Sequence, residues 1–437
     1  MSEVAQVPQL RFPEFSGNWE SKIFRDVFER ITTKNKENNE NVLTISAQQG
    51  LINQKDYFNK SVSAKDVTGY YLLHKDDFAY NKSYSQGYPL GAIKRLKKYD
   101  KGVVSTLYIC FKSIQDNIDF LEQVFNGGRL NHEIHKIAQE GARNHGLLNI
   151  SVVEFFKDIK LNIPTKPEQQ KIAAFLTAVD TKIEQLSKKK ALLGEYKKGL
   201  MQQIFSQAIR FHPKGTSSQA QGEIDDTPGQ PLLPNGNSPS GSDFPDWEEK
   251  KLGDITDLIT KGTTPTSVGY NFTTEGINFI KVESIKNFKI DIGSVPKISE
   301  ECHHHLKRSQ LKNNDIVFSI AGTLGRTAIV KNKDLPANTN QALSIIRLNR
   351  SQHILFVHYL LNLESIDKYI HRMLSVGAQP NLSLQQVGDI QLQLPSLLEQ
   401  SKITNFLSSI DNKIEQVGKQ LDESKQFKKA LLQQMFI

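Results

Sequence analysis

Cysteine and long apolar runs are both scarce in this sequence. Its 437 residues include only Cys110 and Cys302, which lie 192 positions apart and outside any CxxC pair. This scarcity argues against a disulfide framework or a zinc ribbon and predicts a reducing compartment. No apolar run reaches the roughly 18 residues of a membrane span, and the start MSEVAQVPQL lacks the pattern of a signal peptide. We therefore expect a cytoplasmic protein without a membrane partner.

Motifs for catalysis are missing as well. The sequence contains neither a GxxxxGK loop for ATP nor an Asn-Pro-Pro-aromatic motif for adenine methylation. The FPDWEEK stretch at 244–250 has nuclease-like letters, but its carboxylates are consecutive and do not come from separate strands. The adjacent Cys302, His303, His304 and His305 cannot all point at one metal ion. We predict no metal site and no cutting, translocation or methyl transfer by this chain.

The net charge permits a polyanionic partner. Lys and Arg total 55 against 47 Asp and Glu, and the isoelectric point is about 9.1. Cationic side chains displace counterions from nucleic-acid phosphates, which favours binding. Because many basic proteins bind no nucleic acid, the charge alone does not assign a function.

A long internal repeat organises the chain. Residues 164–205 align without a gap on 395–436, and 19 of the 42 positions are identical. NWESKIFRDVFERIT at 18–32 also resembles DWEEKKLGDITDLIT at 246–260, whereas the interiors match only faintly, as between 77–81 and 315–319. A repeat of this length that occurs twice indicates a tandem duplication and not a solenoid.

The repeated segment has the apolar spacing of a coiled-coil helix, with alternating steps of three and four residues. The predicted seam comprises Ile172, Leu176, Val179, Ile183 and Leu186 in the first copy and Ile403, Leu407, Ile410, Ile414 and Val417 in the second. Lys190, Lys197, Ser424 and Lys428 interrupt the seam, so neither helix is an ideal homodimer zipper. We predict that the two copies pair with each other, antiparallel if a pseudo-twofold axis relates the halves. The alternative is that each helix packs only on its own domain.

The domain boundaries follow from the repeat and from one region of biased composition. Pro, Gly, Ser, Gln and Asn supply 20 of the 31 residues of 213–243, a composition that predicts a flexible linker. The predicted fold is α/β, with two tandem mixed α/β domains joined by two long antiparallel coiled-coil helices in a pseudo-twofold repeat. The predicted segments are a first domain at 10–162, a helix at 163–209, a linker at 210–243, a second domain at 244–393 and a second helix at 394–437.

This arrangement resembles the specificity subunit of type I restriction–modification enzymes. The resemblance rests on the FPEF and FPDW entries, GTTP at 262–265, DIVFSIAGTLGR at 315–326, GAQPNLSLQQVGDIQLQLP at 377–395 and both helices. It implies that each variable region is a target recognition domain for one half of a split DNA sequence, with the helices as spacer. It also implies partners: double-stranded DNA, methyltransferase subunits and restriction or translocase subunits. S-adenosylmethionine, ATP and Mg²⁺ are then expected on those partner subunits, and this chain binds no cofactor itself.

Candidate DNA-binding residues are cations beside turns. The candidates are Lys94, Arg95, Lys97, Lys98, Arg143, Lys261 and Arg326. The cluster at 94–98 follows a glycine-containing turn and is either a phosphate contact or a solvated face. Arg326 follows a turn containing Gly322 and Gly325, and it is either a DNA contact or an exposed residue of a tight hairpin.

Two other functions fit the same sequence. One is the DNA-reading subunit of another multisubunit modification enzyme that lacks a translocase, which neighbouring genes would distinguish. The other is a coiled-coil assembly scaffold that does not bind DNA. Two variable regions of equal length but divergent sequence are more typical of interchangeable DNA-recognition domains than of structural spacers.

Overall fold

The computed structural model describes residues 7–46, 49–58, 66–84, 87–138, 148–211, 244–374 and 381–437. The chain forms two compact units: Met1–Lys190 with Gln416–Ile437, here called the first unit, and Ala191–Glu415, the second unit. Each unit contains one variable region and part of both long helices. The predicted domain boundaries, which keep each helix whole, remain a prediction, and most of the predicted linker lies outside the described residues.

A four-stranded antiparallel sheet forms the centre of the first unit. The strands of this unit are β1 (Glu20–Ile23), β2 (Phe28–Arg30), β3 (Leu43–Ser46), β4 (Gly50–Asn53), β5 (Tyr71–His74), β6 (Phe78–Asn81), β7 (Ala92–Arg95), β8 (Lys101–Val104), β9 (Ile109–Ser113) and β10 (Lys160–Ile163). The central sheet has the order β2-β9-β6-β7. The remaining strands pair antiparallel as β1-β10, β3-β4 and β5-β8.

Aromatic side chains fill the core between this sheet and the helices. The helices are α1 (Phe24–Val27), α2 (Gln54–Phe58), α3 (Ile118–Asn126), α4 (Asn131–Ile137), α5 (Val152–Lys157) and the long α6 (Lys166–Phe205). Phe24, Phe78, Phe111 and Phe155 are fully buried, and their rings form stacked and edge-to-face contacts. Such large apolar surfaces, once removed from water, are the main source of stability in this unit.

The second unit has a central sheet of the same size. Its strands are β11 (Glu248–Lys251), β12 (Thr256–Lys261), β13 (Ile277–Ile280), β14 (Ile285–Lys286), β15 (Lys289–Ile290), β16 (Lys297–Ile298), β17 (Ile316–Ser319), β18 (Thr327–Ile329), β19 (Ala337–Thr339), β20 (Leu343–Leu348) and β21 (Gln391–Leu394). The central sheet has the order β12-β20-β17-β18. A three-stranded sheet, β16-β13-β19, contains the parallel pair β13-β19, and β11-β21 and β14-β15 pair antiparallel.

Several helices accompany these strands in the second unit. They are α7 (Glu300–His305), α8 (Ile354–Leu360), α9 (Glu364–Met373), α10 (Leu384–Gly388) and the long α11 (Leu397–Gln434). Short 3-10 turns, such as Pro265–Val268, connect the strands. None of the described helices combines the length and the apolarity that a bilayer crossing requires.

The central sheets confirm the faint resemblance between the two interiors. β6 and β17 occupy the same position in their sheets, and a buried aspartate precedes each strand. Asp77 accepts a hydrogen bond from the His74 backbone N–H at 2.7 Å, and Asp315 accepts one from Lys312 at 2.7 Å. An aspartate carboxylate therefore closes an equivalent four-residue turn in each unit.

Each unit also pairs a segment of α6 with a segment of α11. In the first unit Asp180 contacts Lys428, and Lys190 approaches Gly418, so ten steps forward on α6 correspond to ten steps back on α11. In the second unit, Leu200 and Ile204 share a core cluster with residues of the N-terminal half of α11. The copies thus pair antiparallel, and the predicted fold class is confirmed.

Candidate functional site

An aspartate–lysine pair joins the helix segments of the first unit. Lys428 Nζ lies 2.5 Å from Asp180 Oδ1, and Gln123 of α3 donates to the other oxygen at 2.9 Å. Only 16% of the Lys428 side chain is exposed. The lysine that interrupts the predicted seam is therefore the ion-pair partner of the other helix copy.

The second unit repeats this arrangement with the equivalent residues. Lys197 Nζ contacts both carboxylate oxygens of Asp411 at 2.6 and 2.8 Å, and Tyr359 of α8 donates to Asp411 at 2.7 Å. The Lys197 ammonium also lies 4.7 Å from the centre of the Tyr359 ring. Because Lys197 and Asp411 align with Lys428 and Asp180 in the repeat, the two units use one polar contact twice.

The predicted seam residues lie inside or at the edge of these cores. Ile172 and Leu176 share a cluster with Leu431 of α11 and with Met435, which follows that helix. All ten are buried or half-buried: Ile172, Leu176, Leu186, Ile403, Leu407, Ile410 and Val417 are buried, and Val179, Ile183 and Ile414 are half-buried. Because the first turns of each helix also contact the variable region of the same unit, the seam serves both kinds of packing.

A buried glutamate near the start of α6 is held by an arginine from the N-terminal segment. Glu168 is 1% exposed, and Arg11 Nε and Nη2 donate to its two oxygens at 2.7 Å each. Trp19 Nε1 also donates to Glu168, at 3.2 Å. A bidentate guanidinium–carboxylate pair fixes both position and orientation, so this contact fastens the chain segment before β1 to the helix.

The second unit contains the matching pair at the start of α11. Arg210 Nε and Nη2 donate to the two oxygens of Glu399 at 3.2 and 2.8 Å, and the glutamate side chain is fully buried. Here the Trp247 Nε1 group has no hydrogen-bond partner among the described residues. Neither arginine was selected from the sequence, although LRF at 10–12 and IRF at 209–211 give each an aliphatic residue before it and a phenylalanine after it.

The predicted basic cluster of the first unit is largely engaged by the protein itself. Arg95 contacts the carboxylates of Asp76 and Asp119 at 2.5 Å and of Glu122 at 3.3 Å. Lys94 donates to Asn126 at 3.2 Å, and burial lowers the pKa of its ammonium group.

The other candidates of the first unit are placed differently. Lys97 is more than half exposed and lies 3.1 Å from Glu122, and Lys98 lies over the Tyr99 ring. Arg143 falls outside the described residues. DNA contact by all five cations of this unit stays a prediction.

Two exposed cations of the second unit, Lys261 and Arg308, lie beside the GTTP segment. Lys261 ends β12, and Arg308, which the sequence analysis did not select, donates to Thr263 Oγ1 at 3.2 Å. Arg326 is exposed and donates to the Val282 carbonyl at 3.4 Å. The turn before Arg326 has φ values of 74° at Gly322 and 77° at Gly325, as the glycines predict. DNA contact by Lys261 and Arg326 stays a prediction.

The Cys-His-His-His stretch at 302–305 lies in the helix α7. Cys302 is buried in a small apolar cluster, and His303 Nδ1 contacts the Asn338 side chain. Among the residues that the structure describes, no three His, Cys, Asp or Glu side chains come together to hold a metal ion.

Comparison with known proteins finds similar proteins of one kind. A model of the type I restriction modification DNA specificity domain matches residues 245–424. The chain is 27% identical over 285 residues to the MjaVIII specificity subunit of Methanocaldococcus jannaschii, covering 64% of this chain and 61% of that protein. The chain is a homologue of type I restriction enzyme specificity subunits. The resemblance seen in the sequence is thereby confirmed.

Further relatives carry the same description. The EcoBI specificity subunit of Escherichia coli is 28% identical over 153 residues, which cover 34% of this chain and 32% of that one. The HindI specificity subunit of Haemophilus influenzae is 23% identical over 304 residues, which cover 59% and 65%. In each of these relatives the matched region spans less than two thirds of the protein.

Solved structures share the fold over almost the whole chain. The type I restriction–modification S subunit from M. genitalium has a TM-score of 0.54 at 16% identity and covers 99% of both chains. A chain from a structure of type I R-M complex assembly and conformational transition has a TM-score of 0.52 at 17% identity, covering 96% and 97%. The homologous chain therefore has the specificity-subunit fold.

Loss of the arginine at the start of α11 should destabilise the second unit. Arg210→Met leaves the Glu399 carboxylate buried without its cation, which costs about 3–5 kcal/mol in comparable sites. Urea unfolding followed by tryptophan fluorescence in a Trp19→Phe background isolates Trp247, the remaining tryptophan.

The matched control is Lys368→Met. Its lysine pairs with Glu364 on the surface of the same unit, with 75% and 73% of the two side chains exposed. This variant should unfold at the parent urea concentration because exposed ion pairs contribute little. Equal unfolding midpoints for Arg210→Met and the parent would contradict the assigned role of the pair.

Proposed function

We propose that this chain is the DNA-binding specificity subunit of a type I restriction–modification complex and reads a bipartite, asymmetric target. The observation that carries the proposal is the duplicated scaffold. Both units have a four-stranded sheet of equivalent order and the same Asp–Lys and Glu–Arg contacts, whereas their loops differ. Two equivalent scaffolds with different loops suit a protein whose two domains recognise two different DNA sequences.

Phosphate contacts and base contacts would have different roles in DNA binding. Lysines and arginines would contact phosphates and fix the register, and polar side chains would read base edges in the grooves. Because the two variable regions have different side chains, the two half-sites would differ, and the whole target would be non-palindromic. The cations proposed from the sequence, and the exposed ones of the second unit above all, are candidates for the phosphate contacts.

The proposed partners are methyltransferase subunits and a restriction or translocase subunit. The names of the relatives support this assembly, since each is a specificity subunit of a type I restriction enzyme. The chain itself would be non-catalytic, and S-adenosylmethionine, ATP and Mg²⁺ would bind to the partner subunits. The surfaces of the long helices and the adjoining parts of each unit would recruit those subunits.

Two alternatives predict different genetic or binding results. A modification enzyme without a translocase would lack a restriction gene beside this one. A scaffold that does not bind DNA would select no sequence from a pool of random duplexes. The specificity-domain match and the two divergent loop sets favour the DNA-reading subunit over the scaffold.

The purified chain alone should not modify or cut DNA. With S-adenosylmethionine, ATP and Mg²⁺ supplied, we expect no transfer of labelled methyl groups and no cleavage, because the sequence contains no motif for either reaction. Adding the methyltransferase subunit should restore methylation and serves as the positive control. Turnover by the pure chain would contradict the assignment.

Exchange of one variable region should change one half of the target. Replacing 20–160 by the corresponding region of a related specificity subunit should alter one half-site and preserve the other, because the second unit retains its own reading loops. Selection from random duplex pools, followed by sequencing, measures both half-sites at once. The control exchanges 249–391 and should alter the opposite half. Simultaneous change of both half-sites in either chimera would argue against independent readers.

A further inference from the structure

A face of the second unit combines unpaired cations with exposed polar side chains. Lys261, Lys281, Arg308 and Arg326 have no carboxylate within 4.0 Å of their charged groups among the described residues. This contrasts with the first-unit cluster, where three carboxylates surround Arg95. Their contacts within the protein are to neutral groups, such as the Phe272 ring 4.5 Å from Lys281 Nζ, so no carboxylate compensates their charge.

Hydrogen bonds, some of them between buried groups such as Thr339 and Ile280, link the segments that carry these cations. Arg308 donates to Thr263 Oγ1, and the Thr263 backbone N–H donates to the Thr339 carbonyl at 3.1 Å. Thr339 Oγ1 donates to the Ile280 carbonyl at 2.9 Å, which brings the adjacent Lys281 to the same region. The Val282 carbonyl then accepts from Arg326.

A glycine makes the close approach of the two loops possible. A Cβ atom on Gly262 would lie 1.9 Å from the Thr339 carbonyl oxygen, closer than any side-chain carbon can come. The loop at 262–265 therefore lies directly against the segment at 339–341. This contact places the exposed Gln341 side chain beside Thr264, whose hydroxyl donates to Gln341 Oε1.

The Thr264 hydroxyl orients the exposed Gln341 amide. A glutamine amide has an acceptor and a donor side by side, which match the N6 donor and N7 acceptor of adenine in the major groove. An exposed amide held by a neighbouring hydroxyl loses less rotational entropy on binding than an unrestrained one. The side chain is thus prepared for recognition of one base.

We propose that this face is the DNA-contacting surface of the second unit, with Gln341 reading an adenine and Thr264 acting as its positioning residue. Lys261, Lys281, Arg308 and Arg326 contact phosphates on either side of that base. The proposal rests on the proposed function and extends it to particular residues. It assigns sequence specificity to the segments at 262–265 and 339–341, and affinity to the surrounding cations.

The test uses the full-length chain and duplexes selected from a random pool. Gln341→Ala should relax preference at one A·T pair of one half-site, by roughly 5- to 150-fold. The other half-site and the salt dependence of binding should stay unchanged. Thr264→Val should relax the same position to a smaller extent, and Thr264→Ser, which restores a hydroxyl, should recover the preference.

Substitution of the cations should change the salt dependence of binding and not the selected sequence. Arg308→Ala and Lys281→Ala should each reduce the slope of log affinity against log salt concentration by about 0.9, with the selected sequence unchanged. Lys368→Ala, which removes an exposed lysine paired with Glu364 in the same unit, is the control and should leave the slope as it is. Circular dichroism melting of every variant confirms that the fold is retained.

These measurements distinguish failure of the proposed surface from failure of the proposed function. A chain that binds duplexes and selects a sequence, but whose preference is the same in Gln341→Ala and whose salt slope is the same in the cation variants, would overturn this surface and leave the proposed function standing. A folded chain that selects no duplex would overturn both.

Discussion

The pairing of one helix copy with the other is the interaction on which both units depend. In each unit, a lysine on the later part of one helix contacts an aspartate on the earlier part of the other copy. Both lysines are largely buried, and the attraction is stronger there than in bulk water. A register that separated the lysine from its aspartate would leave a largely buried ammonium group without a counter-charge, so the contact favours the observed register of the helices. The same pair in both units explains why the helix sequence is repeated so closely while the variable regions diverge.

The glutamate–arginine pairs are a second repeated contact, near the start of each long helix. Glu168 and Glu399 are buried at equivalent positions, and each is fastened by an arginine that lies outside the helix. Phe12 and Phe211, which follow those arginines, contact Phe175 and Phe406 at the same distance of 5.7 Å. A scaffold with such fixed contacts holds its recognition loops in place, which reduces the entropy lost when the loops bind. Diversification of the loops then alters recognition without disturbing the support.

Much of the fold could be predicted from the sequence because its signals are local or repeated. The three-and-four spacing predicted the long helices and their buried residues, and the repeat predicted that the copies pair with each other. The Asp77 and Asp315 correspondence was detectable because each aspartate precedes a buried strand. The arginine partners of Glu168 and Glu399 were missed, since Arg11 is 157 positions from its glutamate and Arg210 is 189 positions from its own. Nothing local in a sequence reveals such a contact, although comparison of LRF with IRF would have suggested it.

Charge clusters were the least predictable feature. The densest run of cations, at 94–98, includes Arg95, whose charge three carboxylates from other segments compensate. Arg308 stands beside only one other cation in the sequence, yet the fold brings it close to the GTTP segment. Whether a cation is available to a ligand depends on the side chains that folding brings around it. Linear charge density therefore does not show which cations have a carboxylate partner, whereas the folded structure does.

The central claim is that one duplicated scaffold carries two different readers of DNA. Base-resolution methylation mapping of cells that express this chain with its methyltransferase partner, compared with cells that lack only this chain, tests the claim most directly. The account predicts a single methylated motif with two unlike half-sites separated by an unspecified spacer, lost when the chain is absent. A contiguous or palindromic motif, or an unchanged methylation pattern in its absence, would contradict it.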